Sequence, residues 1–215
     1  MVTHLRPYQR LALYHLQRNL EAGAWRQYLD LPTGTGKSTI AAAFAARRQT
    51  QRILALVHRQ DLALQLAETL SQEELEVGLL MGGSRALHTP VVVATVQSLT
   101  PEATQELLMA NATPILRVFI DEAHHAVPGS VYERVLDAIE HAACGRSVAT
   151  IGLTATPYRN DERSMLSLLP VCAFARTISG MVQEGYLAFK YRFLRRGRRM
   201  RSEGSKCSSP RLDIS

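Results

Sequence analysis

Residues 25–39 read WRQYLDLPTGTGKST. Trp25 to Leu31 has the apolar content of a strand, LPTGTGK is a glycine-rich turn, and Ser38 to Arg48, with its alanine run, reads as a helix. Working outward, Leu5 to Leu20 places Leu11, Leu13, Leu16 and Leu20 near a helical repeat, with Pro7 at a first turn. RILALV (Arg52 to Val57) reads as a buried strand and Asp61 to Leu70 as a helix. Val91 to Ala94 and Arg117 to Ile120 are short β-branched strands, Ser130 to Ala142 is helical, and Val148 to Leu153 is a further strand. Strands that alternate with helices and are apolar on both faces predict an α/β fold: a mostly parallel sheet with helices on both faces. No internal repeat interrupts this pattern.

The 215 residues are 46% hydrophobic and 20% charged, which suits a buried core and excludes a disordered or fibrous chain. The longest purely apolar run, Ile40 to Ala46, is far shorter than the ~20 residues that cross a bilayer. MVTHLRPYQR lacks the apolar stretch of a secretory signal, so no membrane partner and a cytoplasmic location are expected. Cys144, Cys172 and Cys207 have neither metal spacing nor the pairing of a disulfide framework. The net charge of +6 resides entirely in residues 192–215, so it is no property of the fold. Of 25 basic residues only Lys37, Lys190 and Lys206 are lysines. A chain that otherwise uses arginine keeps one compact ammonium directly after Gly34-Thr35-Gly36, where a point charge could fit among phosphates.

LPTGTGKST has the G-K-[ST] end of a phosphate-binding loop, after a strand and before a helix. Gly34 and Gly36 let backbone N–H groups turn inward as an anion nest at a helix N-terminus. Lys37 would then reach the β- and γ-phosphates of a nucleotide, and the Ser38 hydroxyl would take one Mg²⁺ position. Leu31 replaces the glycine that opens the general pattern, although the nest depends most on Gly34 and Gly36; a chance glycine turn is the alternative. RVFIDEAHH is a strand that ends in paired carboxylates, Asp121 and Glu122. A metal-bound triphosphate needs one carboxylate near the metal and one to orient and deprotonate water. Acids that merely stabilise a helix N-terminus are the alternative.

GTGKST, DEAHH and GLTATP, in this order and spacing, resemble the first RecA-like domain of superfamily 2 helicases and translocases of DEAD/DEAH-box type. The wording is closest to the branch of type III restriction-enzyme subunits and repair-type DNA helicases, and LRPYQ, LVHRQDLALQ and VVVATVQSL fit that branch too. The resemblance spans roughly residues 4–191. It implies a RecA-like P-loop NTPase fold with ATP and Mg²⁺. Gln9, with Arg6, would meet the adenine edge, with an ordinary polar helix start as the alternative. Thr33, Gly34, Thr35, Gly36, Lys37, Ser38 and Thr39 would cradle the phosphates. Asp121 would hold Mg²⁺ through water and Glu122 would be the base. His124 would link this site to Thr154 and Thr156, the segment that couples hydrolysis to movement in the family, with His125 beside it structurally. Arg59, Gln60, Thr95 and Gln97 match the single-strand-contacting segments. Guanidinium, amide and hydroxyl groups suit backbone phosphates, so the implied partner is nucleic acid, DNA by the family wording, bound without reading sequence. A solvated helix start and a capped turn are the alternatives there. Aromatic stacking has little support from Trp25, Tyr158 and Phe189, and Trp25 is expected to pack in the core or at its edge.

In the family, ATP lies between two RecA-like domains, and the second supplies arginine fingers typically worth ~10³–10⁵ in turnover. Here the reading gives an ATP-binding domain over 1–176, a connector over 177–191 toward a second RecA-like domain, and a basic, disordered tail over 192–215. The expectation is ATP binding with little hydrolysis unless a second domain on another chain completes the motor. The tail is either a basic arm for nucleic acid or the product of an interrupted or shifted reading frame. Two functions stay open: a helicase or translocase ATP-binding domain, or a non-catalytic remnant that binds ATP or nucleic acid. A P-loop kinase or GTPase would explain neither DEAHH nor GLTATP.

Overall fold

The structure, a computed structural model, describes residues 4–47, 51–156 and 164–188. Helix α1 (Pro7–Glu21) starts with Pro7 in its first turn and with the Gln9 side chain accepting from the Arg6 N–H at 2.9 Å. It buries Tyr8, Ala12, Leu13, Leu16 and Leu20, a three-to-four-residue spacing that puts them on one face. There follow β1 (Arg26–Asp30), α2 (Lys37–Ala46), β2 (Arg52–Val57), α3 (Gln60–Ser71), β3 (Val77–Met81), β4 (Ser84–Arg85) and β5 (Val91–Thr95). The chain continues through α4 (Pro101–Met109), β6 (Ile115–Asp121), α5 (Val131–Ala142), β7 (Ala149–Thr154), β8 (Val171–Ala175) and α6 (Ile178–Gln183). Every expected element forms, with ends moved by a few residues at most. The β3–β4 hairpin, α4, β8 and α6 add to what the periodicity indicated.

The strands form one sheet in the order β4-β3-β5-β2-β6-β7-β1-β8, parallel throughout except for the β3–β4 pair. Alternate residues face opposite sides. Ile53, Ala55 and Val57 of β2 join the core beneath α1, α2 and α3, while Leu54 and Leu56 join the core with α4 and α5. Two apolar layers explain why these strands read as continuous hydrophobic runs. The register decides the functional geometry: Asp30 of β1 lies opposite Thr154 of β7, and Leu153 of β7 opposite Asp121 of β6. Thus the C-terminal tips of β1 and β6 flank that of β7, about 10 Å apart at two inter-strand spacings.

Buried arginines tie the opposite end of the sheet. Arg52 donates to the carbonyls of Leu87 and Leu107 at 2.6 and 2.9 Å. Arg117 donates to that of Phe44 at 2.9 Å, with its guanidinium over the Phe44 ring. Trp25, expected in the core or at its edge, is outside the core and stands 40% exposed just before β1, where it lines two surface clefts. Met181 of α6 is fully buried in the same core as α1. Residues 189–215, with the whole expected tail, and Tyr158 lie outside the described residues. Among the described residues no helix is long and apolar enough to cross a membrane.

Gly152, inside β7, sits where a Cβ would come within 2.8 Å of the Ala123 Cβ and 2.5 Å of Leu169 Cδ1. The close approach seats Ala123, and with it the acid pair, against the sheet. Gly152→Ala should therefore lower unfolding free energy by about 1–3 kcal/mol through overpacking, measured by urea denaturation; an unchanged midpoint would show that the contact yields freely.

Candidate nucleotide site

Between β1 and α2 the chain turns through Gly34 (φ +83°) and Gly36 (φ +71°), left-handed conformations that side chains disfavour. At Gly36 a Cβ would also fall 2.7 Å from Gln9 Nε2, so a side chain there would displace the Gln9 amide. The loop is braced from within and from behind. The Thr35 hydroxyl donates to the Pro32 carbonyl at 2.7 Å, and the buried Tyr8 hydroxyl donates to the Thr35 carbonyl at 2.6 Å. Gln9 Nε2 donates to the same carbonyl at 3.2 Å. With its carbonyls held this way, the loop presents the leading N–H groups of α2, which have no partners within the helix. Lys37 extends back over the loop, its ammonium donating to the Leu31 and Pro32 carbonyls at 3.1 and 3.4 Å.

Three carboxylates act on that ammonium. Burial lowers the Lys37 pKa, and Glu122, Asp121 and Asp30 oppose the shift. Burial, and then the neighbouring Glu122, push the Asp121 carboxyl upward against the pull of Lys37. Asp30 is also raised by burial and lowered by Lys37. Glu122 itself takes a left-handed backbone (φ 49°, ψ 51°), a sparsely populated conformation for such a residue. That turn sends the chain into a short 3₁₀ segment, Ala123–His125, so that the His124 ring comes back to the acid. His124 Nδ1 lies 3.3 Å from Glu122 Oε2 and 3.4 Å from Thr154 Oγ1, and the Thr154 hydroxyl accepts from the Thr156 N–H at 3.1 Å.

The other expected residues divide. Arg6 lies at the mouth of the loop beside Tyr186, whose ring meets Tyr8 edge-on at 4.7 Å. Arg59 forms a two-point ion pair with Asp61, both bonds 3.0 Å, in the open. Gln60 is exposed beside the β3–β4 turn, and the exposed Gln97 donates to the His58 carbonyl at 2.9 Å. Thr95 is 2% exposed, and its hydroxyl pairs with that of Ser98 at 2.7 Å. Asp30, Tyr186 and Tyr132 were not among the expected site residues. The Tyr132 hydroxyl is buried without a hydrogen-bond partner, and its pKa is pushed up by burial and by the fields of Asp121 and Glu122. Asp30 precedes the loop immediately and could have been found from its place at a strand tip; the two tyrosines carry no local signal.

A family profile, the type III restriction enzyme res subunit, matches residues 3–159. The chain belongs to this family. As a res-subunit family member it carries the first RecA-like domain of the superfamily 2 helicase type. It is 30% identical over 196 residues to a Saccharomyces cerevisiae protein named as a candidate ATP-dependent helicase, IRC3, covering 85% of this chain and 28% of that protein. A Schizosaccharomyces pombe relative, named as a candidate mitochondrial ATP-dependent helicase, is 32% identical over 193 residues, 85% of this chain and 31% of that protein. The chain thus spans less than a third of either relative. In fold it is similar to the Hef helicase domain of Pyrococcus furiosus, with a TM-score of 0.60 and 24% identity over 80% of this chain and 39% of that one. It is also similar to the ATP-dependent Type ISP restriction-modification enzyme LlaBIII bound to DNA, with a TM-score of 0.64 and 16% identity over 85% of this chain and 16% of that one.

The raised Asp121 pKa has a thermodynamic consequence. A carboxyl with a raised folded-state pKa penalises the folded state once it ionises, so the penalty is full above the folded pKa and absent below the unfolded one. Asp121→Asn should raise the thermal midpoint at pH 7 by a few degrees, at about 2–4 °C per kcal/mol for this size. The gain should disappear as pH falls below the ordinary carboxyl value of 3.8. A variant less stable than the parent at pH 7 would contradict the assignment.

Proposed function

We propose that this chain binds ATP at the tips of β1 and β6 and, as the first of two motor domains, couples its hydrolysis to movement along DNA. The observation that carries the reading is the convergence of the Lys37 ammonium with Asp121 and Glu122, residues far apart in sequence whose charges act on one another. The donor set fits a metal-bound polyphosphate: one ammonium, a row of helix-start N–H groups, a hydroxyl at Ser38 and two adjacent carboxylates. Mg²⁺, held by Ser38 and through water by Asp121, would supply charge neutralisation on the phosphate oxygens.

The protein's own groups do the rest. Thr33 to Thr39 hold the phosphates, with Lys37 on the β- and γ-oxygens. Glu122 orients the attacking water and takes its proton, and its strained backbone fixes where the carboxylate points. Arg6 and Gln9 bound the base, with Tyr186 against Arg6. Gln9 also touches the loop carbonyls, so base and phosphate recognition share one brace. His124 stands between Glu122 and Thr154 and reports the state of the acid to the Thr154–Thr156 segment. Arg59, Gln60 and Gln97 grip the backbone of a single strand, DNA by family wording, and a second RecA-like domain supplies the opposite wall of the nucleotide cleft. Residues 177–191 lead toward that domain. ATP dependence in the names of both yeast relatives, and the DNA on the structurally similar restriction enzyme, support this reading.

Calorimetry tests the site. Lys37→Ala should abolish ATP binding, and unchanged affinity would sink the phosphate assignment. Glu122→Gln should keep binding while hydrolysis falls by about 10²–10⁴, the usual contribution of a positioned base. For the strand face, Arg59→Ala should weaken oligothymidylate binding and reduce the log–log salt slope by about 0.7, one phosphate contact's worth. An unaltered slope would remove Arg59 from the interface.

A further inference from the structure

Three imidazoles meet beside the acid pair. His58 stands on the turn between β2 and α3, and its ring stacks on that of His125 with centroids 4.8 Å apart and planes 19° from parallel. His125 in turn meets His124 at 4.2 Å and 43°. At one end of this row, His124 Nδ1 faces both Glu122 and Thr154, at 3.3 and 3.4 Å. A single ring nitrogen cannot make two full-strength bonds at those distances, so closing on one partner lengthens the other. At the opposite end the His58 carbonyl accepts from Gln97 at 2.9 Å, and Arg59 and Gln60 follow His58 directly in the chain.

Neither metal binding nor burial explains the row. Among the described residues no group of three or more His, Cys, Asp or Glu side chains could hold a metal ion, and the His58 and His125 rings meet face to face while His124 is tilted against His125. His58 is exposed, so its ring contributes little to the core. What the row does achieve is contact, ring upon ring, between the group that would activate water and the segment that would grip a strand.

We propose that His58 and His125 are positioning residues that carry coupling between the nucleotide site and the single-strand face. The inference rests on the functional reading above. When Glu122 turns to its water, His124 closes on Thr154; its ring shifts against His125, and the stacked His58 moves with the backbone that holds Gln97 and starts α3. The same displacement operates in reverse, so a bound strand biases the acid.

The test is a linkage cycle on the full chain, using a fluorescent ATP analogue and oligothymidylate. Each ligand's affinity is measured with and without saturating amounts of the other, and the two ratios must agree. The wild type should show a coupling factor within the usual range of about 5–150-fold. His58→Ala and His125→Ala should bring it to within about twofold of unity while each ligand alone keeps its affinity within about threefold. His58→Phe and His125→Phe, which keep a stacking ring, should retain most of it; a leucine replaces any alanine variant that fails to fold. An unchanged factor in the alanine variants overturns the proposal, as do phenylalanine variants that behave like alanine or a parallel loss of both separate affinities. A wild type that binds both ligands with a factor of one overturns the coupling and leaves the functional reading standing. A wild type that binds neither ligand overturns that reading, and the coupling with it.

Discussion

The ammonium of Lys37 is the charge around which the strand tips are arranged. Alone, it would lose hydration on burial, and Asp121 beside Glu122 would suffer both burial and like-charge repulsion. Each is tolerable because the other is present. This mutual dependence requires that β1, β7 and β6 be neighbours in register, which the crossover through α2 accomplishes by carrying the chain from β1 past β7 and β6 to β2. It also requires Gly34 and Gly36, because a loop with ordinary backbone angles would not return Lys37 over its own preceding strand. One ammonium faces three carboxyl groups there, those of Glu122, Asp121 and Asp30.

The two ends of the sheet use positive charge for different purposes. Arg52 and Arg117, at the N-terminal ends of β2 and β6, are buried against backbone carbonyls and anchor the loops and helices there. A planar fork with several donors suits that task, since it can satisfy more than one carbonyl from one position. At the C-terminal end stands Lys37, the one lysine among the described residues.

Much of this was legible in the sequence because it rests on local patterns. A strand, a glycine turn and a lysine at a helix start define the loop without reference to any other part of the chain, and DEAHH at the end of a β-branched strand does the same for the acids. What escaped notice depended on distant contact or weak patterning. Val77–Met81 carries a glycine in mid-strand, which the structure explains by the approach of Ala86, whose carbonyl occupies the place of a Cβ on Gly78. Val171–Ala175, short and alanine-rich, is a strand because β1 offers a free edge. Tyr132 and Tyr186 reach the site only through the folding of α5 and the end of α6. Thr95 ends β5, and the short turn after it brings its hydroxyl to that of Ser98, a contact that the sequence does not announce.

The neutral charge of residues 1–191 constrains how such a domain could hold a nucleic acid. In the reading proposed above, contact within residues 1–191 comes from a few groups already in position rather than from a net positive charge. Arg59 is engaged with Asp61 at the surface, where an ion pair is worth only about 0–1 kcal/mol. Exchanging that carboxylate for a phosphate oxygen costs little in either direction, and the carboxylate remains nearby to receive the guanidinium back. A grip of this kind is weak and quickly reversed. For a static binding protein that would be a defect; for the translocating domain proposed above, which would release one phosphate before taking the next, it would be a requirement.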